Sequence, residues 1–320
     1  MYFSVIIPVY NRPEELKDLL SSLVHQTYRN FEVIVVEDGS ALSSEAVVES
    51  FKTDLRLTYI VQENTGQGFA RNHAMKVANG DFYVIFDSDV ILPSHYFEVL
   101  NQSIVARKLD AFGGPDAADS NFSVLQKAMN FAMTSFWTTG GIRGKLKNPA
   151  SFQARGFNMG VSAKIYQELG GFADPNRGED IEYSMRIKKA GFKLELVTEA
   201  FVYHKRKNTV LSFAKQSFSF GENRVNVSRF QPEAIKLVHC LPALFLLFIV
   251  SIPVVAVISP VAFQLQLALL GLWCIGLVLS STVENRSIVV GLLSLVTALI
   301  QLCAYGAGLI SEFAKKMALG

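Results

Sequence analysis

Two long stretches without a charged side chain set the strongest limit on how this chain of 320 residues can fold. No Asp, Glu, Lys or Arg lies between Lys236 and Glu284, and none lies between Arg286 and Glu312. A helix that crosses a bilayer needs about 20 apolar residues, so the first stretch is long enough for two crossings and the second for one. Globular helices rarely run so far without charge. The sequence therefore predicts a membrane-inserted C-terminal region.

The charge pattern divides the chain into four parts. They are a soluble domain at 1–207, an amphipathic juxtamembrane linker at 208–236, a transmembrane region at 237–311 and a short tail at 312–320. Two to three membrane helices are expected, at about 238–258, 262–282 and 288–310. The linker mixes phenylalanines with cations, which suits the bilayer surface and is equally compatible with packing back on the soluble domain.

Positive charges before the first apolar stretch indicate an orientation. They are Lys205, Arg206, Lys207, Lys215, Arg224, Arg229 and Lys236. By the positive-inside rule, the N-terminal part faces the cytoplasm and the protein is a multi-pass protein of the cell membrane. Three crossings would place Lys315 and Lys316 outside, which conflicts with that rule. Two or four crossings, or an interfacial last segment, would remove the conflict.

The N-terminal part alternates continuous apolar strands with helical patterns. The predicted strands are 3–10, 31–36, 57–61 and 82–86. Strands that are apolar on both faces and alternate with helices indicate a parallel sheet covered on both sides. Ligands bind beyond the carboxyl ends of such strands. Polar clusters follow each strand directly, so they should converge on one crevice: Tyr10-Asn11-Arg12, Glu37-Asp38-Gly39-Ser40, Gln62-Glu63-Asn64 and Asp87-Ser88-Asp89.

Asp87 and Asp89 follow the fourth strand and are separated by one residue. In an extended segment, residues two apart point to the same side, so both carboxylates can face one point. A divalent cation would relieve their mutual repulsion, and oxygen ligands suit Mg²⁺ or Mn²⁺, particularly when substrate phosphates complete the shell. The alternative is a local role for Asp89 in a turn or a helix cap.

Four segments, in order, closely resemble the family 2 glycosyltransferases of the GT-A fold. They are "SVIIPVYNRPEELKDLLSSL", "QTYRNFEVIVVEDGS", "NTGQGFARNHAMKVANGDFYVIFDSD" and "GGFADPNRGEDIEYSMRIKKAGFK". The resemblance covers roughly residues 3–204. It implies an α/β GT-A nucleotide-diphospho-sugar transferase domain, with a Rossmann-like, mixed but mainly parallel sheet, followed by an α-helical membrane region.

The resemblance also implies residues that bind the sugar–nucleotide donor. The matching positions are Pro8, Tyr10, Arg12 and Asp38 for the base and ribose, Gly66 and Arg71 beneath the nucleotide, and Asp87 and Asp89 at the metal that bridges the diphosphate. Glu37 stands where aspartate is more usual. Arg71 could pair with a phosphate or be a surface charge on a helix. His204 resembles a late histidine that completes the metal shell in some members, although a lone histidine after a strand is more often structural.

Asp180 matches the family's catalytic base, with Glu179 as a supporting residue. A carboxylate near the donor's anomeric carbon can take the proton from an attacking acceptor hydroxyl. The alternative is that both acids only favour the start of a helix, where the helix dipole attracts anions. The segment "ARGFNMGVSAKIYQELGGF" resembles the acceptor side, with Asn158 and Gly160 as the expected contributors.

These observations predict a membrane-anchored, inverting glycosyltransferase of the hexosyltransferase type. Its expected partners are a nucleotide-diphosphate sugar, a lipid-linked or glycan acceptor and the membrane, with no nucleic acid. One alternative is a polyprenyl-phosphate sugar synthase, whose acceptor is a phosphate instead of a hydroxyl. A remote alternative is a membrane protein that binds nucleotide sugars without turning them over.

Overall fold

The computed structural model describes residues 1–117, 122–139, 152–173, 177–204 and 209–319. These residues form two compact units. The first holds residues 1–117, 152–173 and 177–204, and the second holds 122–139 and 209–319. The predicted boundary at 207 falls between described segments. The predicted domain of residues 1–207 differs from this division in one place, because residues 122–139 belong to the second unit.

Strands and helices alternate through most of the first unit, whereas the second unit contains helices. In chain order, the strands are β1 (Phe3–Val9), β2 (Phe31–Asp38), β3 (Leu57–Gln62), β4 (Phe82–Phe86), β5 (Val90–Ile91), β6 (Ala111–Gly113), β7 (Asp116–Ala117), β8 (Asn158–Ser162), β9 (Leu194–Leu196) and β10 (Val202–His204). The helices are α1 (Pro13–Val24), α2 (Glu45–Phe51), α3 (Gln67–Val77), α4 (Tyr96–Arg107), α5 (Val124–Thr134), α6 (Phe136–Thr139), α7 (Ala163–Leu169), α8 (Glu179–Lys189), α9 (Val210–Phe230), α10 (Leu237–Ile258), α11 (Pro260–Asn285) and α12 (Ile288–Leu319).

A seven-stranded sheet in the order β3-β2-β1-β4-β8-β6-β9 forms the centre of the first unit. Strands β1 to β4 pair in parallel, β8 is antiparallel to both β4 and β6, and β9 is parallel to β6. The prediction of a mixed, mainly parallel sheet is therefore confirmed. A small sheet in the order β5-β10-β7 pairs β10 with the strand that directly follows Asp89.

The core of the first unit explains why the first strand and helix form. Every residue of β1 is buried, and α1 begins with a proline and two glutamates in its first turn, which suits its free N–H groups and dipole. Its buried stripe of Leu16, Leu19, Leu20 and Leu23 packs on the sheet. Strand β4 is also fully buried and ends at Phe86, so Asp87 follows the last residue that the sheet covers.

The second unit is built from packed helices. Helices α10, α11 and α12 are each long and apolar enough to cross a membrane. The segment expected as a linker contains the 21-residue helix α9, which packs along α12. Helix α5 belongs to the same unit because its apolar face, including Met129 and Phe131, packs with Phe213, Leu277 and Ala298.

Gly160, in the middle of β8, lies where a side chain has no room. A Cβ there would collide with the Phe112 ring and lie 2.8 Å from the carbonyl oxygen of Tyr83. Because overpacking a close-packed core costs about 1–3 kcal/mol, Gly160→Ala should lower the unfolding temperature of the purified protein by several degrees. Val105→Ala, at a position 63% exposed, is the control and should stay within about 0.5 kcal/mol of the starting protein. Equal unfolding temperatures for the two variants would contradict this packing.

Candidate active site

The loops after β1 and β2 are tied together by Asn11. Its backbone adopts a positive φ of 54°, which asparagine tolerates better than most residues. Its N–H donates to Ser40 Oγ at 2.7 Å, and its Oδ1 accepts from the N–H groups of Ala41 and Leu42 at 2.7 and 3.0 Å. The structure thus brings together the polar clusters at the carboxyl ends of these two strands.

Asp38, at the end of β2, organises the turn that leads into α3. Its carboxylate accepts from Gln62 Nε2 at 2.7 Å, from the Gly66 N–H at 2.8 Å and from the Thr65 N–H at 3.0 Å. Gly66 is needed there because its φ is +105°. Only 3% of Asp38 is exposed, so its carboxylate is already fully engaged by the protein.

Glu37, the residue before Asp38, has a structural position. It is buried and accepts from the Ser44 N–H at 2.7 Å and from the Tyr59 hydroxyl at 3.0 Å. The longer side chain therefore joins the start of α2 to β3. Burial, together with the charge and hydrogen bond of Glu37, raises the pKa of Tyr59 to about 12.

Arg71, on α3, is buried and paired with two carboxylates. Its Nη2 lies 2.6 Å from Asp87 Oδ1, and its Nη1 lies 2.7 Å from Glu179 Oε1. Burial by itself would lower the pKa of Arg71, but the charges of Asp87 and Glu179 outweigh it and raise that pKa, with Asp180 adding to the effect. The surface alternative is therefore corrected, because the side chain is 1% exposed. Both terminal nitrogens bind acids, and the expected phosphate contact stays a prediction.

Asp87 and Asp89 lie directly beyond β4, each beside a guanidinium. Asp89 Oδ2 is 2.6 Å from Arg12 Nη1. The Asp87 side chain keeps 30% of its surface exposed while it pairs with Arg71. Within the part of the chain that the structure describes, no three His, Cys, Asp or Glu side chains form a metal-binding group. The backbone of His204 pairs with Val90, but its side chain lies outside the described atoms.

Helix α8 presents Glu179 and Asp180 in its first turn. The helix begins after Gly178, whose φ is +78°. Glu179 accepts from Gln67 Nε2 at 3.0 Å as well as from Arg71. Burial raises the pKa of Glu179, and the neighbouring Asp180 adds to the rise, although Arg71 opposes it. Asp180 accepts from the Ile181 N–H at 2.8 Å and, more weakly, from the Gly156 N–H at 3.2 Å.

Comparison with known proteins decides the family. The family model described as "Glycosyl transferase family 2" matches residues 4–170, more than half of the chain. The chain belongs to glycosyl transferase family 2. It is 39% identical over 108 residues to glycosyltransferase GlyA of Streptococcus pneumoniae, covering 33% of this chain and 16% of GlyA. It is 26% identical over 233 residues to glycosyltransferase GlyG of the same organism, covering 70% of this chain and 77% of GlyG.

Solved structures show the same fold. The mannosyltransferase PcManGT of Pyrobaculum calidifontis, solved with GDP-Man and Mn²⁺, superposes with a TM-score of 0.70 at 18% identity, over 98% of this chain and 87% of that one. S. aureus TarS 1-349, solved with UDP-GlcNAc, gives 0.50 at 20% identity, over 71% of this chain and 67% of that one. The predicted GT-A glycosyltransferase fold is confirmed.

The residues expected on the acceptor side of this glycosyltransferase have packing positions. The Asn158 side chain is completely buried: its Oδ1 accepts from the Tyr96 hydroxyl at 2.5 Å, and its Nδ2 donates to the Ala200 carbonyl at 2.9 Å. Burial also raises the pKa of Tyr96. Gly160 is enclosed by Phe112 and Tyr83. Both residues are buried in the sheet, and their place on the acceptor side stays a prediction.

The two remaining donor-side positions differ in exposure. Pro8 lies inside β1 in register with Val36, whereas 51% of Tyr10 is exposed.

Two residues of the glycosyltransferase that were not predicted from the sequence also hold the site. Gln67 binds Glu179, and Asn72 joins α3 to Phe172 through two hydrogen bonds of 2.8 and 2.9 Å. The only local signal for both was that they belong to the segment "GQGFARN".

Removing the Arg71 guanidinium should destabilise the glycosyltransferase strongly. Arg71→Met leaves the buried Glu179 and the half-buried Asp87 without their cation, and breaking a buried ion pair costs about 3–5 kcal/mol. Arg107→Met breaks a more exposed pair with Glu195, whose side chains are 36% and 25% exposed, and should cost less than about 1 kcal/mol. Thermal unfolding measures both. Similar losses from the two variants would show that the Arg71 pairs do not hold the site.

The protonated Tyr59 phenol should add to the free energy of unfolding, and this contribution should be lost in alkali, where the phenol ionises. Because its folded-state pKa of about 12 lies above the ordinary value of 10.0, the contribution is complete below the ordinary value and disappears as pH rises from there towards the folded value. The unfolding temperature of Tyr59→Phe should therefore fall less steeply over that range than that of the starting protein. Val105→Ala, which removes no phenol, should keep the original slope. Equal slopes for all three proteins would refute the coupling.

Proposed function

We propose that this glycosyltransferase moves a sugar, with inversion, from a nucleotide-diphosphate sugar to a hydroxyl of a lipid-linked glycan in cell-envelope or surface polysaccharide biosynthesis. The observation that carries the proposal is the Arg71 guanidinium, which joins Asp87 beyond β4 to Glu179 beside Asp180. It brings a donor-side carboxylate and the candidate base to one place at the carboxyl edge of the sheet, where α/β proteins bind ligands.

The proposed donor is a nucleotide-diphosphate sugar. PcManGT was solved with GDP-Man and TarS with UDP-GlcNAc, which supports a nucleotide-diphosphate sugar as the donor class. The carboxylates of Asp38 and Glu37 are occupied by protein groups, so they hold the loops in shape. The exposed ring of Tyr10 is the group available for stacking on a base, and Arg12 lies next to Asp89.

Asp87 and Asp89 fit a divalent cation, Mg²⁺ or Mn²⁺. They supply the carboxylate oxygens that such ions prefer, and Arg71 and Arg12 fix each side chain through one oxygen. His204 remains a proposed further ligand. When bound, the cation offsets the negative charge that builds up on the leaving nucleoside diphosphate. The PcManGT structure with Mn²⁺ supports this cofactor.

Asp180 is the proposed general base. It would take the proton from the acceptor hydroxyl as that oxygen attacks the anomeric carbon on the face opposite the leaving group, which inverts the configuration. The Gly156 N–H and the first turn of α8 hold its carboxylate. Glu179 acts through Arg71, so it is a positioning residue.

The proposed acceptor follows from the helical unit. The catalytic unit and three helices that could cross a membrane are parts of one chain, which keeps the enzyme where lipid-linked acceptors are found. The positive charges before α10 favour a cytoplasmic catalytic unit in the cell membrane. Turnover of water-soluble acceptors alone, with lipid-linked glycans ignored, would contradict this part of the proposal.

Asp180→Asn tests both the base and the acceptor group. We expect transfer to fall by about 10²–10⁴-fold, the usual worth of a positioned general base, with the unfolding temperature unchanged. Release of nucleoside diphosphate with Mg²⁺ or Mn²⁺, across a panel of nucleotide sugars and lipid-linked glycans, measures the loss. Asp54→Asn, an exposed residue, is the matched control and should keep full activity.

The residual rate distinguishes the two possible enzymes. A phosphate acceptor is already ionised and needs no base, so a variant that keeps substantial turnover would overturn hydroxyl transfer. That result would favour a polyprenyl-phosphate sugar synthase.

A further inference from the structure

Helices α10 and α11 form an antiparallel pair joined at Ser259. Gln266 Nε2 donates to Ser251 Oγ at 2.9 Å and to the Phe248 carbonyl at 2.8 Å. Farther from the joint, the rings of Phe245 and Trp273 lie 5.0 Å apart. The start of α10 and the end of α11 are therefore at the same end of this hairpin, opposite the turn at Ser259. We call it the open end.

Helix α12 begins at the open end. It starts two residues after Arg286, the residue that caps α11. The hydroxyls of Ser281 and Ser294 hydrogen-bond each other at 2.7 Å. A Cβ at Gly291 would meet the Thr282 side chain. The first turns of α12 therefore pack against the last turns of α11.

The far part of α12 also lies at the open end. A Cβ at Gly306 would be 2.6 Å from the Pro242 carbonyl oxygen. Leu309 shares a buried cluster with Val225 and Ala243. Pro242 and Ala243 belong to the first two turns of α10, which begins at Leu237. A helix that crossed the membrane from the end of α11 would have carried its far part away from the start of α10.

Helix α9 runs beside α12 and carries charge along its length. A Cβ at Gly221 would meet the Tyr305 carbonyl, and near the end of α12 Arg229 pairs with Glu312 at 3.0 Å. The charged residues of α9 are Lys215, Glu222, Arg224 and Arg229. A charge at the centre of a bilayer costs about 2.5–3.5 kcal/mol on insertion scales. A spanning α12 would take these charges into the hydrocarbon with it.

The two faces of α12 are suited to different surroundings. One face is covered by α9 and by α5, where Thr297 Oγ1 donates to the Ala128 carbonyl at 3.0 Å. A third of the apolar window of α12 is buried, against 11% for each of α10 and α11. The other face is apolar and exposed: Ile288, Val289, Leu292, Val296, Ile310 and Phe313.

We propose that α10 and α11 are the two membrane crossings, and that α12 lies along the membrane surface at the open end of the hairpin. Its exposed apolar face rests on the lipid, while α5 and α9 cover the opposite face. The C-terminus is then on the side where α10 begins, which is also the side of the catalytic unit, since no described helix before α10 could cross. Lys315 and Lys316 join the other cations there, and the charge conflict of a three-pass chain disappears. The proposal rests on the helical unit alone and does not depend on the proposed activity.

Cysteine labelling of the full chain in sealed membranes tests this topology. Cys240, Cys274 and Cys303 are first replaced by alanine, and single cysteines are placed at Leu42, Ile258 or Met317, which are 61%, 76% and 72% exposed. A membrane-impermeant maleimide is applied to vesicles of either orientation. We expect Met317→Cys to react from the same side as Leu42→Cys, and Ile258→Cys to react from the opposite side. Labelling of Met317→Cys from the Ile258→Cys side would overturn the proposal, and so would labelling of all three from one side.

Crosslinking provides a second measurement that needs no vesicle orientation. Arg229→Cys combined with Glu312→Cys replaces a pair whose charged groups are 3.0 Å apart. A short bis-maleimide should join them in native membranes, whereas Arg229→Cys with Ile258→Cys should not react. If only the second pair is joined, or neither is, the end of α12 does not lie beside α9 and the proposal fails. Glycosyltransferase activity is not used in either readout.

Discussion

The buried guanidinium of Arg71 is the interaction on which the catalytic unit depends. A carboxylate beyond β4 and another at the start of α8 could not approach each other in a buried place without a cation between them. Arg71 supplies that cation from α3. Its planar guanidinium donates through Nη2 to Asp87 and through Nη1 to Glu179. Helix α3 begins at the turn that the Asp38 carboxylate holds. Asp38 at the end of β2 therefore fixes α3, and Arg71 on α3 in turn fixes the residues after β4 and at the start of α8.

This arrangement gives the acidic residues of the site two different roles. Asp38, Glu37 and Glu179 use their oxygens to hold backbone or side-chain donors. Asp87 keeps part of its surface towards solvent. Acids that are fully bonded inside a protein fix geometry, and acids that remain accessible are the ones that can meet a ligand. One sheet edge thus carries both kinds.

Local patterns in the sequence were enough to predict the strands β1 to β4 and the edge where the acids gather, because each strand is a continuous apolar run followed by polar residues. They could not identify the partners of Arg71, which lie 16 and 108 residues away in the chain. The same holds for Asn158, because the hydroxyl that binds it comes from Tyr96, 62 residues earlier. The position of α5 depends on its contacts with α11 and α12. The spacing of apolar residues within α5 does not show which distant helices it will pack against.

Gly156 has a consequence for how this site can change. Its N–H donates to Asp180, and a Cβ on it would lie 2.7 Å from Arg71 Nη1. Any larger residue there would push on the guanidinium that holds Asp87 and Glu179. The space left at position 156 and the reach of the arginine at position 71 are therefore coupled, although the two residues lie far apart in the chain.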